Sequence, residues 1–162
     1  MSTRLTWRSE SPEQTRELGA ALGRLLHAGE LVALSGPLGA GKTQFVKGLA
    51  LGLGVPADEP VVSPTFVLVR EYAGRLKLYH LDAYRLADAL ELYELGLAEM
   101  LADPAGVVAL EWADRVPAAV PDQAWRIEFT HAGPQARGLT ILAPAAAAGA
   151  ALRQAVQASR RK

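Results

Sequence analysis

The segment Gly36-Pro37-Leu38-Gly39-Ala40-Gly41-Lys42-Thr43 constrains the fold of this chain more than any other stretch. It matches the pattern G-x-x-x-x-G-K-[ST], a phosphate-binding P-loop. Leu31 to Ser35, just ahead of it, is a short apolar run and reads as a buried strand. Residues 42–53, just behind it, read as a helix stopped by Gly54 and Pro56. Strand, glycine-rich loop and helix in that order predict an α/β, P-loop NTPase-like fold. Chance alone produces the pattern in a chain of this length about one time in a hundred or less.

Each residue type in the loop has a physical task. The glycines let the backbone wrap closely and aim successive N–H groups inward as an anion nest. The positive end of the following helix faces the same point. Lys42 adds a full charge toward the β- and γ-phosphates of a nucleotide, and the Thr43 hydroxyl is placed to ligate Mg²⁺.

Composition narrows the class. A chain of 162 residues is expected to form one domain over residues 1–162 and needs no disulfide or metal staple. Lys+Arg and Asp+Glu both number 17, which argues against a dedicated nucleic-acid coat but leaves room for a local anion site. The absence of cysteine excludes disulfides, Cys-ligated zinc, iron–sulfur clusters and a thiol nucleophile. No apolar run is long enough to span a membrane, and the first fourteen residues lack the apolar core of a signal peptide, so a cytoplasmic location is expected. The chain has no asparagine, so the N-K-x-D element that reads guanine cannot exist here and ATP becomes the default nucleotide.

Along the rest of the chain, Ser11-Pro12-Glu13-Gln14 reads as a helix start with a capping box, and Gly29 as its stop. Residues 65–72 and 76–82 read as two strands of a hairpin, and residues 88–101 as one helix. Gly106 to Glu111 is a second buried strand. Residues 125–130 and 139–142 form a late hairpin, and an alanine-rich tail from about residue 144 reads as a helix with a basic end.

Binding needs the loop; chemistry needs acids beside it. Asp82 and Glu111 each stand at the C-terminal end of a strand, the side of an open α/β sheet where ligands sit. His80 has two readings, support of that site or a satisfied strand histidine. Arg85 reads as a phosphate contact or an ion-pair partner, and Trp112 as cover for a base or core filling. His27 and His131 read as structural.

Four segments in succession resemble the TsaE (YjeE) family of small bacterial P-loop ATPases. They are GPLGAGKT, Ser63-Pro64-Thr65-Phe66, Tyr79-His80-Leu81-Asp82-Ala83-Tyr84-Arg85-Leu86 and Glu111-Trp112, and the likeness runs from roughly residue 10 to 142. The resemblance implies a mainly parallel central sheet flanked by helices with antiparallel additions. It implies weak Mg-dependent ATP hydrolysis, stimulated by the partner proteins TsaB and TsaD. The process served is threonylcarbamoylation of adenosine 37 in tRNAs reading ANN codons, with tRNA met only indirectly and the group transferred by others. It implies that Ser63, Pro64, Thr65 and Phe66 form a switch-like loop, that Asp82 acts on Mg²⁺ or the attacking water, and that Glu111 helps hold Mg²⁺. Gly36, Pro37, Leu38, Gly39, Ala40, Gly41, Lys42 and Thr43 would hold the nucleotide, with Lys42, Asp82 and Glu111 as the catalytic set and Thr43, Glu111 and Asp82 as the metal set.

The chain departs from the family pattern at Pro37, Gln44 and Leu81, where Asp, Thr and Phe are usual. None of these removes an expected phosphate or magnesium ligand. Two other functions use the same loop. A small-molecule kinase would need an acceptor pocket and an arginine-bearing lid, for which Arg137 is a short candidate. A nucleotide-gated binding module would change the shape of the Ser63–Phe66 segment without turnover.

Overall fold

A computed structural model describes residues 3–64 and 68–161. Its strands are β1 (Thr3–Ser9), β2 (Leu31–Ser35), β3 (Val69–Tyr72), β4 (Lys77–Asp82), β5 (Gly106–Glu111), β6 (Trp125–His131) and β7 (Arg137–Ala143). Its helices are α1 (Pro12–Leu25), α2 (Lys42–Gly52), α3 (Ala89–Glu94), α4 (Leu97–Ala102) and α5 (Ala146–Arg160), with 3₁₀ turns at Ala113–Arg115 and Pro117–Ala119. An apolar strand with no polar face must lie inside a sheet covered on both sides. β2 does so, in a seven-stranded sheet of order β1-β7-β6-β2-β5-β4-β3. β6, β2, β5 and β4 run parallel; β7 and β1 extend one edge antiparallel and β3 the other.

Strand alternation sends successive residues of β2 and β5 to opposite faces. Val32, Leu34, Val107 and Ala109 pack with Leu22, Phe45, Leu49 and Leu152 of α1, α2 and α5. Leu31, Ala33, Val108 and Leu110 pack with Leu92, Leu97 and Val116 on the other face. A fully buried leucine contributes about 1.5–3 kcal/mol, so both faces are needed to hold the sheet.

α1 starts as its residues predict. Ser11 Oγ accepts the Gln14 N–H at 3.2 Å, while the Gln14 side chain accepts from the Glu10 N–H at 2.8 Å. The capping box is therefore shifted one residue outward from Ser11. α1 and α2 then cross in backbone contact through two glycine pairs. A Cβ on Gly19 would lie 2.2 Å from the Phe45 carbonyl oxygen, and one on Gly48 would lie 2.1 Å from that of Arg16. Gly23 and Gly52 repeat the arrangement one turn on, at 2.4 Å from Leu49 O and 2.2 Å from Ala20 O. No side chain fits at these four positions, so α2 and the loop that precedes it are held tightly.

The structure departs from the sequence expectations at several points. Residues 3–9 form β1, an edge strand the sequence reading leaves unassigned; only Leu5 and Ser9 along it are buried, too weak an alternation to declare it. The helix expected over residues 88–101 is two helices, because Gly96 adopts φ +102° and turns the chain between them. α1 ends at Leu25, short of Gly29, whose φ of +88° instead serves a turn that donates its N–H to Gly106 O at 2.8 Å. The alanine-rich tail docks as α5 through buried Gly149, Leu152 and Val156. Of the strand expected over 65–72, the described part is β3; Thr65 and Phe66 of the expected switch-like segment lie outside the described residues. Among the described residues no helix is long and apolar enough to cross a membrane.

Candidate nucleotide-binding site

The chain leaves β2 at Ser35 and enters α2 at Lys42 through three residues in the left-handed region. Gly36, Gly39 and Gly41 have φ of +148°, +75° and +101°. Glycine alone adopts these angles without steric cost. Gly36 has a second constraint, since a Cβ there would lie 2.7 Å from Phe129 O. Gly41 occupies the N-cap of α2 and supplies no side-chain hydrogen bond. The first-turn N–H groups of α2 therefore face the loop with the positive end of the helix dipole behind them.

Lys42 is the first residue of α2, and its ammonium donates to Gly36 O at 2.5 Å and Pro37 O at 2.9 Å. It also lies 3.9 Å from the centroid of the Trp112 ring. Burial pushes its pKa below the ordinary lysine value, against the opposing pull of Glu111, Asp114 and Asp82. Thr43 donates its hydroxyl to Glu111 Oε1 at 3.0 Å. The other Glu111 oxygen is hydrogen-bonded to His80 Nε2. Pro37, which has no N–H, contributes a carbonyl to the lysine. Gln44 accepts from the Arg16 guanidinium at 2.5 Å and so ties α2 to α1.

Sheet register brings the acids together. Asp82 at the end of β4 pairs with Glu111 at the end of β5, and both are 2% exposed. Ser63 donates its hydroxyl to Asp82 Oδ2 at 3.0 Å, and the Tyr84 N–H donates to Oδ1 at 2.8 Å. Trp112, directly after Glu111, has φ +60°. That angle is uncommon for a bulky side chain and costs of order 1–3 kcal/mol. The turn sets its ring against Tyr84, with centroids 4.9 Å apart, as well as over Lys42. Trp112 is thus a wall of the cleft, half-buried.

The β6–β7 hairpin braces the loop from outside. Arg137 donates to Gly39 O at 3.1 Å, to Ala136 O at 2.8 Å and to Gly133 O at 3.2 Å. A His131 ring nitrogen lies 3.4 Å from Leu38 O. Between these elements is a cleft of about 580 Å³ lined by Lys42, Thr43, Ser63, Asp82, Glu111 and Trp112 among others. Pro12, Thr15, Tyr84 and Gln135 also line it. Tyr84 falls within the segment Tyr79–Leu86, but no motif marks Pro12, Thr15 or Gln135 as cleft residues; a helix start and a hairpin tip bring them there only through the fold. Arg85 is exposed.

Among the described residues no group of three or more His, Cys, Asp or Glu side chains stands ready to hold a metal. The hydroxyl of Thr43 and the carboxylates of Glu111 and Asp82 are hard oxygen donors. Such a small set suits a cation that keeps water and phosphate oxygens as its remaining ligands, which is the habit of Mg²⁺.

A glycine loop joining a central parallel strand to a helix, with acids at the neighbouring strand ends, defines a P-loop nucleotide-binding protein. Comparison with known proteins narrows the class. The family model for "Threonylcarbamoyl adenosine biosynthesis protein TsaE" matches residues 9–139. A "tRNA threonylcarbamoyladenosine biosynthesis protein TsaE" of Treponema pallidum is 47% identical over 114 residues, covering 70% of this chain and 82% of the relative. The protein of the same description from Bacillus subtilis is 39% identical over 140 residues, covering 86% and 85%. The crystal structure of Bacillus subtilis YdiB superposes with a TM-score of 0.79 at 32% identity, covering 98% of each chain. The chain belongs to the TsaE family, P-loop ATPase-like proteins of tRNA threonylcarbamoyladenosine biosynthesis.

Proposed function

We propose that this protein binds and hydrolyses Mg·ATP in the cytoplasm as an accessory factor in threonylcarbamoylation of adenosine 37 of tRNAs reading ANN codons. It turns over slowly alone and faster with TsaB and TsaD, and it does not transfer the group itself. The observation that carries the ATPase reading is the Thr43 hydroxyl 3.0 Å from the Glu111 carboxylate, at the first turn of α2, with Asp82 in register beside it. The family membership carries the process.

The backbone of Gly36 to Thr43 and the start of α2 receive the phosphates. Lys42 exchanges the carbonyls of Gly36 and Pro37 for the β- and γ-phosphates. Thr43 and Glu111 would hold Mg²⁺, which neutralises phosphate charge when bound. Asp82 orients the metal or the attacking water. The Ser63 hydroxyl ties Asp82 to the switch-like segment of Ser63, Pro64, Thr65 and Phe66, so a shift of that segment would move a carboxylate of the site. Arg137 is engaged by three backbone carbonyls, one of them in the loop, and braces the cradle; it is not arranged as a kinase lid.

The test is phosphate release from Mg·ATP by the purified protein, alone and with the TsaB–TsaD complex, beside the variant Lys42→Ala. Slow release that rises with the complex is expected. The variant should lose Mg·ATP affinity by about 100-fold or more, the scale of removing a desolvated charge-assisted contact. Unchanged affinity in Lys42→Ala would overturn the loop assignment. Brisk release indifferent to the complex would overturn the accessory role, and no release in either condition would leave a nucleotide-gated module.

A further inference from the structure

We propose that His80 is a positioning residue, whose Nε2–H holds one oxygen of Glu111 so that the other faces the Thr43 hydroxyl. The inference rests on the reading of Glu111 as a metal ligand. His80 is 0% exposed. It lies on β4 opposite Ala109 of β5, two residues before the Asp82–Glu111 pair. Residues two apart on a strand share a face, so His80 and Asp82 look the same way. Ala109 belongs to the core under α1 and α2, and its methyl leaves the imidazole room beneath Glu111. The imidazole thus reaches Glu111 diagonally from the neighbouring strand, while Thr43 reaches it from α2.

The chemistry of the ring separates positioning from mere filling. An ionised carboxylate only accepts, so the imidazole nitrogen beside it must carry the hydrogen. Nδ1 is buried and has no hydrogen-bond partner among the described residues. A buried polar atom without a partner is a cost that an apolar side chain of similar volume would avoid. The value of histidine at this position therefore lies in what Nε2 does. With one oxygen occupied by Nε2–H, the Glu111 carboxylate has a single rotational setting and presents one defined oxygen to the cleft. Without that bond either oxygen can turn to the Thr43 hydroxyl. Partners of this kind orient a ligand before the metal arrives, and their loss typically weakens metal affinity by roughly 10–100-fold.

Asp82 gives the contrast. Its oxygens are held by the Ser63 hydroxyl and the Tyr84 N–H, a loop side chain and a backbone group that leaves β4. Glu111 is set by His80, a side chain from the sheet interior.

The test compares His80→Gln with His80→Asn in the full chain. A glutamine amide nitrogen can occupy the place of Nε2, whereas an asparagine amide reaches only the place of Nδ1. The measurement is calorimetric binding of a non-hydrolysable ATP analogue, first in EDTA and then across a Mg²⁺ titration. In EDTA both variants should bind within about twofold of the parent. His80→Gln should need Mg²⁺ within about threefold of the parent, while His80→Asn should need about tenfold more. His80→Leu, which fills the volume with no donor, repeats the second arm should the asparagine variant fail to fold. Equal Mg²⁺ requirements in the glutamine and asparagine variants, raised or not, would overturn the inference. Glu111→Gln separates the two ideas. A raised requirement there with none in His80→Asn sinks the positioning role alone, and no change in Glu111→Gln sinks the metal-ligand reading beneath it.

Discussion

The two faces of the sheet are covered in different ways. On one face lie α1, α2 and α5, helices of 14, 11 and 15 residues. On the other lie α3 and α4, of six residues each, and two 3₁₀ turns of three. The first face is locked by backbone contact between α1 and α2, and the phosphate cradle grows directly out of α2. The second leaves Leu90 and Tyr93 exposed at 64% and 46% and has few turns of helix to protect its amides. The cradle is thus preset by packing, while the ground beside Asp82 and Trp112 is built from short pieces. Segments of the latter kind open locally at lower free energy than the global transition.

Three measurements break or sharpen this contrast, beginning with the largest effect. Gly48→Val places a branched side chain where even a Cβ lies 2.1 Å from the Arg16 carbonyl oxygen. The helices must part, and a loss of about 3 kcal/mol is expected, or roughly 10 °C in melting temperature. A melt within about 2 °C of the parent would show that the α1–α2 contact is not what holds the first face. Second, hydrogen exchange should find the amides of α3 and α4 opening at roughly 2 kcal/mol or more below those of α1 and α2. Uniform protection across the four helices would erase the distinction between the faces.

The smallest effect belongs to a polar staple on the second face. Tyr79 donates its hydroxyl to Asp103 Oδ2 at 2.6 Å, joining β4 to the end of α4. That bond, with burial and the Asp103 charge, pushes the tyrosine pKa up to about 12, and Asp103 is held below the usual carboxylate value chiefly by the same bond. A raised tyrosine contributes stability that is complete below pH ~10, where the unfolded chain titrates, and is lost as pH climbs to about 12. The lowered carboxylate contributes above the ordinary aspartate range and loses its part as pH falls through its depressed value. Tyr79→Phe should therefore be slightly less stable than the parent at pH 8, with the gap closing between pH 10 and 12. Denaturant melts at those pH values check it, and a gap that persists unchanged would rule out the hydroxyl as its source.

How far the sequence is legible depends on the range of the interaction. The loop from Gly36 to Thr43 is local: its turn angles, its helix N-terminus and its lysine follow from adjacent residues, so they can be read without a fold. The apolar runs at Leu31–Ser35 and Gly106–Glu111 mark buried strands for the same reason, and the strand-end place of Glu111 comes with them, while that of Asp82 comes with the hairpin strand read over residues 76–82. β1 is not legible, since an edge strand with two buried side chains carries little pattern. The break at Gly96 is a single glycine within a periodic run, and nothing nearby shows that it takes a positive φ.

Strand order is the decision that only the tertiary structure makes. Alternation says which residues share a face but not which strands are neighbours. Placing β5 between β2 and β4 brings Thr43, Asp82 and Glu111 to one cleft, and sets His80 under Glu111 from 31 residues away. The glycine pairs of α1 and α2 carry no motif in the sequence; in the fold they bring the two helix backbones into contact. Local backbone preference is written in adjacent residues, whereas pairing and close packing depend on burying surfaces far apart in the chain. The phosphate loop is thus a property of the sequence itself, and the side chains that surround it are a property of the sheet.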